Sequence, residues 1–326
     1  MKSSRFNPLK WYFTFWLILF LFTSFPMAQD KKELDSGRED FKGAWRLKLL
    51  KERELKDEEF KSSPRSPMAG KARFTIPVSQ KIAYVLEKDY EVEVSDKDSD
   101  LVMFVIKEQN GKWIWERRAP GIQCLSMGNR IDPGQAIPPS SEIRTGFCIF
   151  DVYPTKDGLV LIEFDPMRRE LQDFVQLRYF EPNVEYAVQA TLEKYSDPIK
   201  MSFPTSQKLE KFYYRYAAIH FRIKGKEYKL SAFKDKLDSP EGESILFIPF
   251  SDLTSGDETY EVGRFLEIPE PQSQSFILDF NQCFNPLCNY SPAYNCPVPP
   301  LENNLDVAIP AGEKTYPHQS HSPHGV

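Results

Sequence analysis

The chain has 326 residues, 42 basic and 47 acidic, for a net charge of −5. An acidic balance without a basic stripe argues against a nucleic-acid partner, and the length admits one large domain or two smaller ones. Five cysteines, an odd number, leave at least one thiol free or paired outside the chain.

The first element is an export signal. Lys2, Arg5 and Lys10 precede an apolar run from Trp11 to Met27, and no acid appears before Asp30. Cleavage at or near Ala28 makes residues 1–28 a signal peptide and, by removing three cations, takes the net charge to −8. Retained, residues 11–27 are long enough to tether the protein to a membrane. Either outcome places the chain outside the cytoplasm, as a periplasmic, secreted or membrane-anchored protein.

Residues 29–66 read as a short charged linker and a helix. Ser36 and Glu39 have the spacing of a capping box, and Phe41, Trp45 and Leu49 follow on one apolar face. The cluster Ser62-Ser-Pro-Arg-Ser-Pro67 ends the helix. From there to residue 316 the pattern predicts one β-rich domain. Short β-branched and aromatic runs recur at 73–78, 82–86, 90–94, 101–106, 113–115, 147–152, 159–164, 186–192, 200–203, 218–223, 228–233, 245–250, 264–268, 276–280 and 305–309. Asn110-Gly111 and Lys224-Gly-Lys226 mark hairpins, and the Gly- and Pro-rich stretch from Gly121 to Pro139 reads as an irregular loop. The expected fold is mainly β, an antiparallel sandwich or partly open barrel with one N-terminal helix. Residues 317–326, with His318, His321 and His324, read as a disordered tail.

Chemistry-bearing residues concentrate in a cassette over residues 244–316. Its first piece is Phe250-Ser-Asp-Leu-Thr-Ser-Gly-Asp-Glu-Thr-Tyr-Glu-Val-Gly-Arg-Phe-Leu266. The second is Leu278-Asp-Phe-Asn281, followed by Asn285-Pro-Leu-Cys288 and Tyr294-Asn-Cys-Pro-Val-Pro-Pro300. The third joins Glu302-Asn303 to Val307-Ala-Ile-Pro-Ala-Gly-Glu-Lys314 and Tyr316. Period two places Asp279 and Asn281 on one strand face and Phe280 on the other. Arg264, after Gly263, can grip a carboxylate with two parallel hydrogen bonds.

This combination resembles the family called domain of unknown function 1684, closely from Ile245 to Tyr316. It is fainter at Trp45-Arg46, Lys56–Pro67, Leu177–Phe180 and Gly225-Lys226. Asn304 stands where that family usually has Arg, and Cys283 is an extra thiol beside its Cys pair. The resemblance implies a fold and a site location but carries no activity, and cofactors stay unknown.

The leading expectation is a binding or envelope-interaction module. Its polar pocket is lined by Asp252, Thr254, Tyr260, Arg264, Asp279, Asn281, Asn285 and Glu302, with a small molecule or an envelope component as partner. A Cys288–Cys296 disulfide, enclosing seven residues, would pin the Pro-rich loop over one side for about 2.5 kcal/mol. One competing reading is a hydrolase that uses paired carboxylates drawn from Asp252, Asp279, Glu302 and Glu313, or a Cys288 nucleophile with His220 as base. Another is a purely structural envelope component, in which Arg264 pairs with Asp279 and Asp252 caps a turn. A zinc site on Cys283, Cys288 and Cys296 lacks a C-x-x-C pair and a fourth ligand, so no metal is expected. Trp113 and Trp115 share a strand face, as sugar-stacking rings or as core.

Overall fold

A computed structural model describes residues 31–207, 210–238 and 244–317, with side chains from Lys42 onward. The export segment and the histidine tail lie outside the described residues. The chain is mainly β: among the described residues there are three sheets, all antiparallel, preceded by one long N-terminal helix. The helix, α1 (Lys31–Ser62), is already formed five residues before Ser36, so Ser36 does not cap it. Lys31-Lys-Glu-Leu-Asp35 offers good helix formers that carry the helix back past that position. It stops where Pro64 and Pro67 exclude further turns.

The described residues fall into two compact units. The first comprises Glu59–Phe174 and Ser291–Tyr294. Its strands are β1 (Gly70–Pro77), β2 (Ile82–Lys88), β3 (Glu91–Ser95), β4 (Val102–Gln109), β5 (Lys112–Arg117), β6 (Gln123–Ser126), β7 (Asn129–Ile131), β8 (Ser141–Arg144), β9 (Ile149–Thr155) and β10 (Gly158–Phe164). They form a four-stranded sheet, β3-β2-β4-β5, and a six-stranded sheet, β1-β10-β9-β8-β6-β7. Val85, Phe104 and Trp115 of the first share one apolar core with Phe150, Val152 and Leu161 of the second, the arrangement of a sandwich. Trp113 and Trp115 are both buried in this core. The predicted irregular loop at 121–139 instead contains the β6–β7 hairpin. Met127 and Gly128 supply the two positive φ angles of its turn, a conformation that the Met-Gly pair does not advertise. Asn110-Gly111, the advertised pair, forms the β4–β5 turn as expected.

The second unit holds residues 31–58, Val175–Tyr290 and 295–317. Its strands are β11 (Ala187–Pro204), β12 (Glu210–Ile223), β13 (Lys226–Lys234), β14 (Ile245–Phe250), β15 (Arg264–Pro269) and β16 (Ser275–Asp279), in the order β15-β14-β13-β12-β11-β16. One face buries Leu192, Ile219, Leu230, Ile248, Leu266 and Phe280; the other carries an aromatic cluster of Phe203, Phe233, Phe247 and Phe265.

The predicted strand at Leu305–Ile309 is not formed. Leu305 N–H donates to Ser251 O, Val307 O accepts from Leu253 N–H, and Ile309 N–H donates to the Asp252 carboxylate at 2.7 Å, so a side chain interrupts what would be a continuous ladder. Its apolar alternation is nevertheless real, because Leu305, Val307 and Ile309 close the core. Strands β13 and β14 meet at one register pair, Phe233 and Phe247. Beside it the Asn303 amide is inserted: its Oδ1 accepts from Ser231 N–H at 2.8 Å, and its Nδ2 donates to Ser231 O and Pro249 O at 2.9 and 2.7 Å. A side-chain amide thus takes the place of a peptide group between two strands.

Candidate functional site

The cassette builds three adjoining polar knots in the second unit. The first is centred on Arg264, where β15 begins. Gly263 precedes it at φ +111°, and a Cβ there would lie 2.4 Å from Phe250 O, so only glycine lets β15 start against β14. The guanidinium is fully buried. It donates to Asp252 Oδ2 at 3.1 Å, to Ile309 O at 2.9 Å and to the carbonyl of Ala311. Asp252 also accepts from Thr254 Oγ1 at 2.7 Å, and Thr254 meets Thr259 at 3.0 Å. Arg264 therefore pairs with Asp252, and the alternative pairing with Asp279 is not formed. The partner is fixed by the Asp252-Leu-Thr-Ser-Gly256 turn, which points the carboxylate inward.

The second knot joins Asp279 and Asn281. Strand β16 ends at Asp279, and residues 280–282 form a 3-10 turn, so strand alternation does not bring the pair together. Asp279 caps the turn instead: its Oδ1 accepts from Asn281 N–H at 2.9 Å and from Asn281 Nδ2 at 2.8 Å. Phe280 points into the core, against Phe221 and Phe250. Asn281 also holds Asn183 through both backbone groups, at 2.9 and 2.8 Å. From α1, Trp45 Nε1 donates to Asp279 at 2.7 Å, and Arg53 donates to Phe180 O and Asn281 O at 2.9 and 3.3 Å.

The third knot surrounds Glu313, which is 1% exposed. Gly312, at φ +78°, lies so close to Cys283 and Phe280 O that a Cβ would come within 2.7 Å of Cys283. That approach delivers the next carboxylate inward. Glu313 accepts from Tyr290 OH at 2.6 Å, from Asn285 N–H at 2.8 Å and from Lys56 of α1. Asn285 Nδ2 donates to Lys314 O at 2.8 Å. Arg53 stacks on the Tyr179 ring, 4.4 Å from its centroid. Burial, and then the Glu313 charge, push both the Tyr179 and Tyr290 hydroxyls well above the usual phenol range. Three polar atoms around this carboxylate are buried with no hydrogen-bond partner among the described residues: Tyr179 Oη, Asn285 Oδ1 and Arg53 Nε.

Glu302 is elsewhere. It is exposed and pairs with Arg215 at 3.1 Å. The four carboxylates considered for paired acid–base work are thus each committed to a different cation or donor set. Asp252 holds Arg264, Asp279 holds Trp45 and Asn281, Glu302 holds Arg215, and Glu313 holds Lys56 and Tyr290. Among the described residues no group of three or more His, Cys, Asp or Glu is arranged to hold a metal ion.

The Pro-rich loop carries its own cluster. All five cysteines are free thiols. Cys288 N–H donates to Cys296 Sγ at 3.1 Å, and Cys296 N–H donates to Ser206 Oγ at 3.1 Å. His220 is exposed on β12 with Nε2 3.0 Å from Glu193, so no imidazole stands among the described partners of Cys288.

Of the eight residues expected to line the pocket, Asp252, Thr254, Arg264, Asp279, Asn281 and Asn285 are buried in these knots, Tyr260 is half-buried and Glu302 is exposed. The sequence assigns no site role to Arg53, Lys56, Tyr179 or Tyr290, although Lys56 and Tyr179 lie in segments of the fainter family resemblance. Arg53 and Lys56 also stand at eight and eleven residues from Trp45, and four and seven from Leu49, which continues one face of α1.

Residues 172–314 match the family model described as protein of unknown function (DUF1684). The solution NMR structure of an uncharacterized protein of Haloarcula marismortui is 36% identical over 45% of this chain and 80% of that one, with a TM-score of 0.38. The chain belongs to the DUF1684 family. No curated protein matches it. The DUF1684 match contains the Arg264 knot, Asp279, Asn281, Asn285, Tyr290 and Glu313, whereas Trp45, Arg53 and Lys56 lie before it.

Proposed function

We propose that this DUF1684 protein is an exported binding module whose second unit takes up a small polar ligand at the Glu313 knot, beside α1. The observation that carries the reading is the convergence of unpartnered buried groups on one buried carboxylate: Tyr179 Oη, Asn285 Oδ1 and Arg53 Nε around Glu313. Each such group costs about 1–3 kcal/mol when left unsatisfied, a cost that a purely structural knot has no reason to carry three times. The set offers a donor, an acceptor and a hydroxyl able to do both, next to the faces of Tyr179 and Tyr290. That chemistry fits a polyhydroxylated or amide-bearing molecule, with hydroxyls or amides that both give and take hydrogen bonds. The Arg264 knot, whose guanidinium reaches five acceptors, serves as the rigid wall that sets Ala311 to Glu313 in place.

Export follows from the basic and apolar N-terminal segment. In an oxidising compartment Cys288 and Cys296, already in contact, would join as a disulfide across the Pro-rich loop.

Titration of the full chain with a panel of sugars, polyols and small amides, followed calorimetrically, tests the reading. Tyr179→Phe should abolish binding while leaving unfolding of the free protein unchanged or slightly raised, because that hydroxyl has no hydrogen-bond partner among the described residues. Binding of unaltered affinity in the Tyr179→Phe variant, or no binding from the whole panel, would overturn the proposal.

A further inference from the structure

The Pro-rich loop holds a constellation that the ligand site does not use. We infer that Cys288 and Cys296 form a thiol–disulfide exchange site, with Cys288 as the attacking thiol, Cys296 as the resolving thiol and a small organic disulfide as co-substrate. The inference rests on the bridge proposed above and is independent of the ligand reading.

The two sulfurs differ in access and in surroundings. Cys288 is half-buried and Cys296 is buried. Cys296 sits where residues 296–298 run beside β11 and the turn that follows it. Its N–H donates to Ser206 Oγ, its carbonyl accepts from Ser206 N–H at 2.9 Å, and Val298 N–H donates to Pro204 O at 2.9 Å. This side of the pair is fixed to the sheet. Cys288 lies in a three-residue 3-10 turn, Leu287–Asn289, on the more accessible side. Its backbone N–H donates to Cys296 Sγ at 3.1 Å, so the two residues meet directly. Hydrogen bonding, with Cys296 foremost, lowers the Cys288 thiol below its usual range, while burial raises Cys296. A reachable sulfur next to a buried one is the division of labour that exchange requires, because the accessible sulfur attacks and the inner sulfur resolves. The other three thiols are unsuited to it. Cys124 and Cys148 are buried and pushed up to about 12, and Cys283 is fully enclosed and raised further.

The chemistry balances without a cofactor. Cys288 Sγ, giving up its proton, attacks one sulfur of the organic disulfide, and that S–S bond breaks. The released sulfur leaves with the bonding pair and takes up the proton as a free thiol. Cys296 Sγ then attacks Cys288 Sγ, and the second half of the organic disulfide departs as a thiol carrying the Cys296 proton. Two protein thiols are oxidised to one disulfide, and one organic disulfide is reduced to two thiols. Run in reverse, the bridged protein oxidises a dithiol.

The test uses the full chain in mixtures of reduced and oxidised glutathione at millimolar concentration, without denaturant, followed by acid quenching and intact-mass analysis. In the wild type the bridge should form and open reversibly as the mixture changes. Cys296→Ser should trap one glutathione on Cys288, and Cys288→Ser should trap none. Circular dichroism confirms that each variant is folded. A bridged wild type together with a Cys296→Ser variant that takes up no glutathione would overturn exchange while leaving a static bridge standing. Two unmodified thiols at 288 and 296 in oxidised glutathione would overturn both. Glutathione found on Cys296 in the Cys288→Ser variant would overturn the assignment of the attacking residue.

Discussion

The indole Nε1 of Trp45 donates to the Asp279 carboxylate at 2.7 Å, joining residues 234 positions apart. The bond secures the middle of α1 to the end of β16, and Arg53 and Lys56 continue the attachment toward the C-terminus of the helix. Trp45→Phe keeps an aromatic ring, though a smaller one, and removes one hydrogen bond to a charged acceptor, so a loss of about 1.5–3 kcal/mol is expected. Thermal unfolding measures it. The helix should show the loss first, as faster amide exchange along residues 42–56, with the β-sheet amides slower to respond.

Arg264 and Asp252 are both fully enclosed, and removing one leaves the other charge buried without its partner. Arg264→Met should therefore cost about 3–5 kcal/mol in a urea titration. The double change Arg264→Met with Asp252→Asn should recover part of that loss, because a neutral amide replaces the stranded carboxylate. If the double variant were as unstable as the single one, the guanidinium would matter for its bonds to the carbonyls of Ile309 and Ala311 more than for its charge.

In the first unit, Glu163 lies on β10 with 1% exposure, 3.8 Å from Lys71. Burial raises its carboxyl from 4.5 to about 7, against the opposing pull of Lys71. The folded chain then holds this proton more tightly than the unfolded chain. Its contribution to stability is fully present below pH 4.5 and is lost as the pH rises through about 7. Glu163→Gln, which mimics the protonated side chain, should flatten the decline. Melting temperatures of the two proteins compared across that window check the sign: the wild type should fall relative to the variant as the pH rises.

How much of this was legible in the sequence depended on whether the signal was local. Alternating apolar runs and the Asn110-Gly111 and Lys224-Gly225 pairs gave the antiparallel, mainly β class, because period and turn chemistry act within a few residues. The cassette residues were legible as a set, since polar side chains among turns and prolines have few uses besides capping and recognition. Their partners were not. Nothing near Arg264 says that it will choose Asp252 over Asp279, because that choice depends on a turn aiming one carboxylate inward and on Trp45 of a distant helix occupying the other. Leu305–Ile309 misled in an instructive way. Its alternation reports which side chains are buried, but whether a buried segment becomes a strand depends on where its backbone bonds go, and here Asp252 takes one of them.

Asn303 offers the sharpest remaining test, because it is fully buried and all three of its side-chain hydrogen bonds go to backbone groups of β13 and β14. Asn303→Ala opens the seam and leaves Ser231 N–H, Ser231 O and Pro249 O to find other partners. A loss of about 3 kcal/mol or more is expected, large for a single amide, because three bonds fail together where no strand pairing can replace them. Asn303→Asp separates geometry from donor chemistry. The carboxylate can still accept from Ser231 N–H but can give nothing to the two carbonyls, and it brings a charge into a buried site, so this near-isosteric change should destabilise at least as much as alanine. Equilibrium unfolding of the two variants measures the order, and a mild Asn303→Asp would mean that the seam between β13 and β14 is held by packing of Phe233 against Phe247 instead of by the amide.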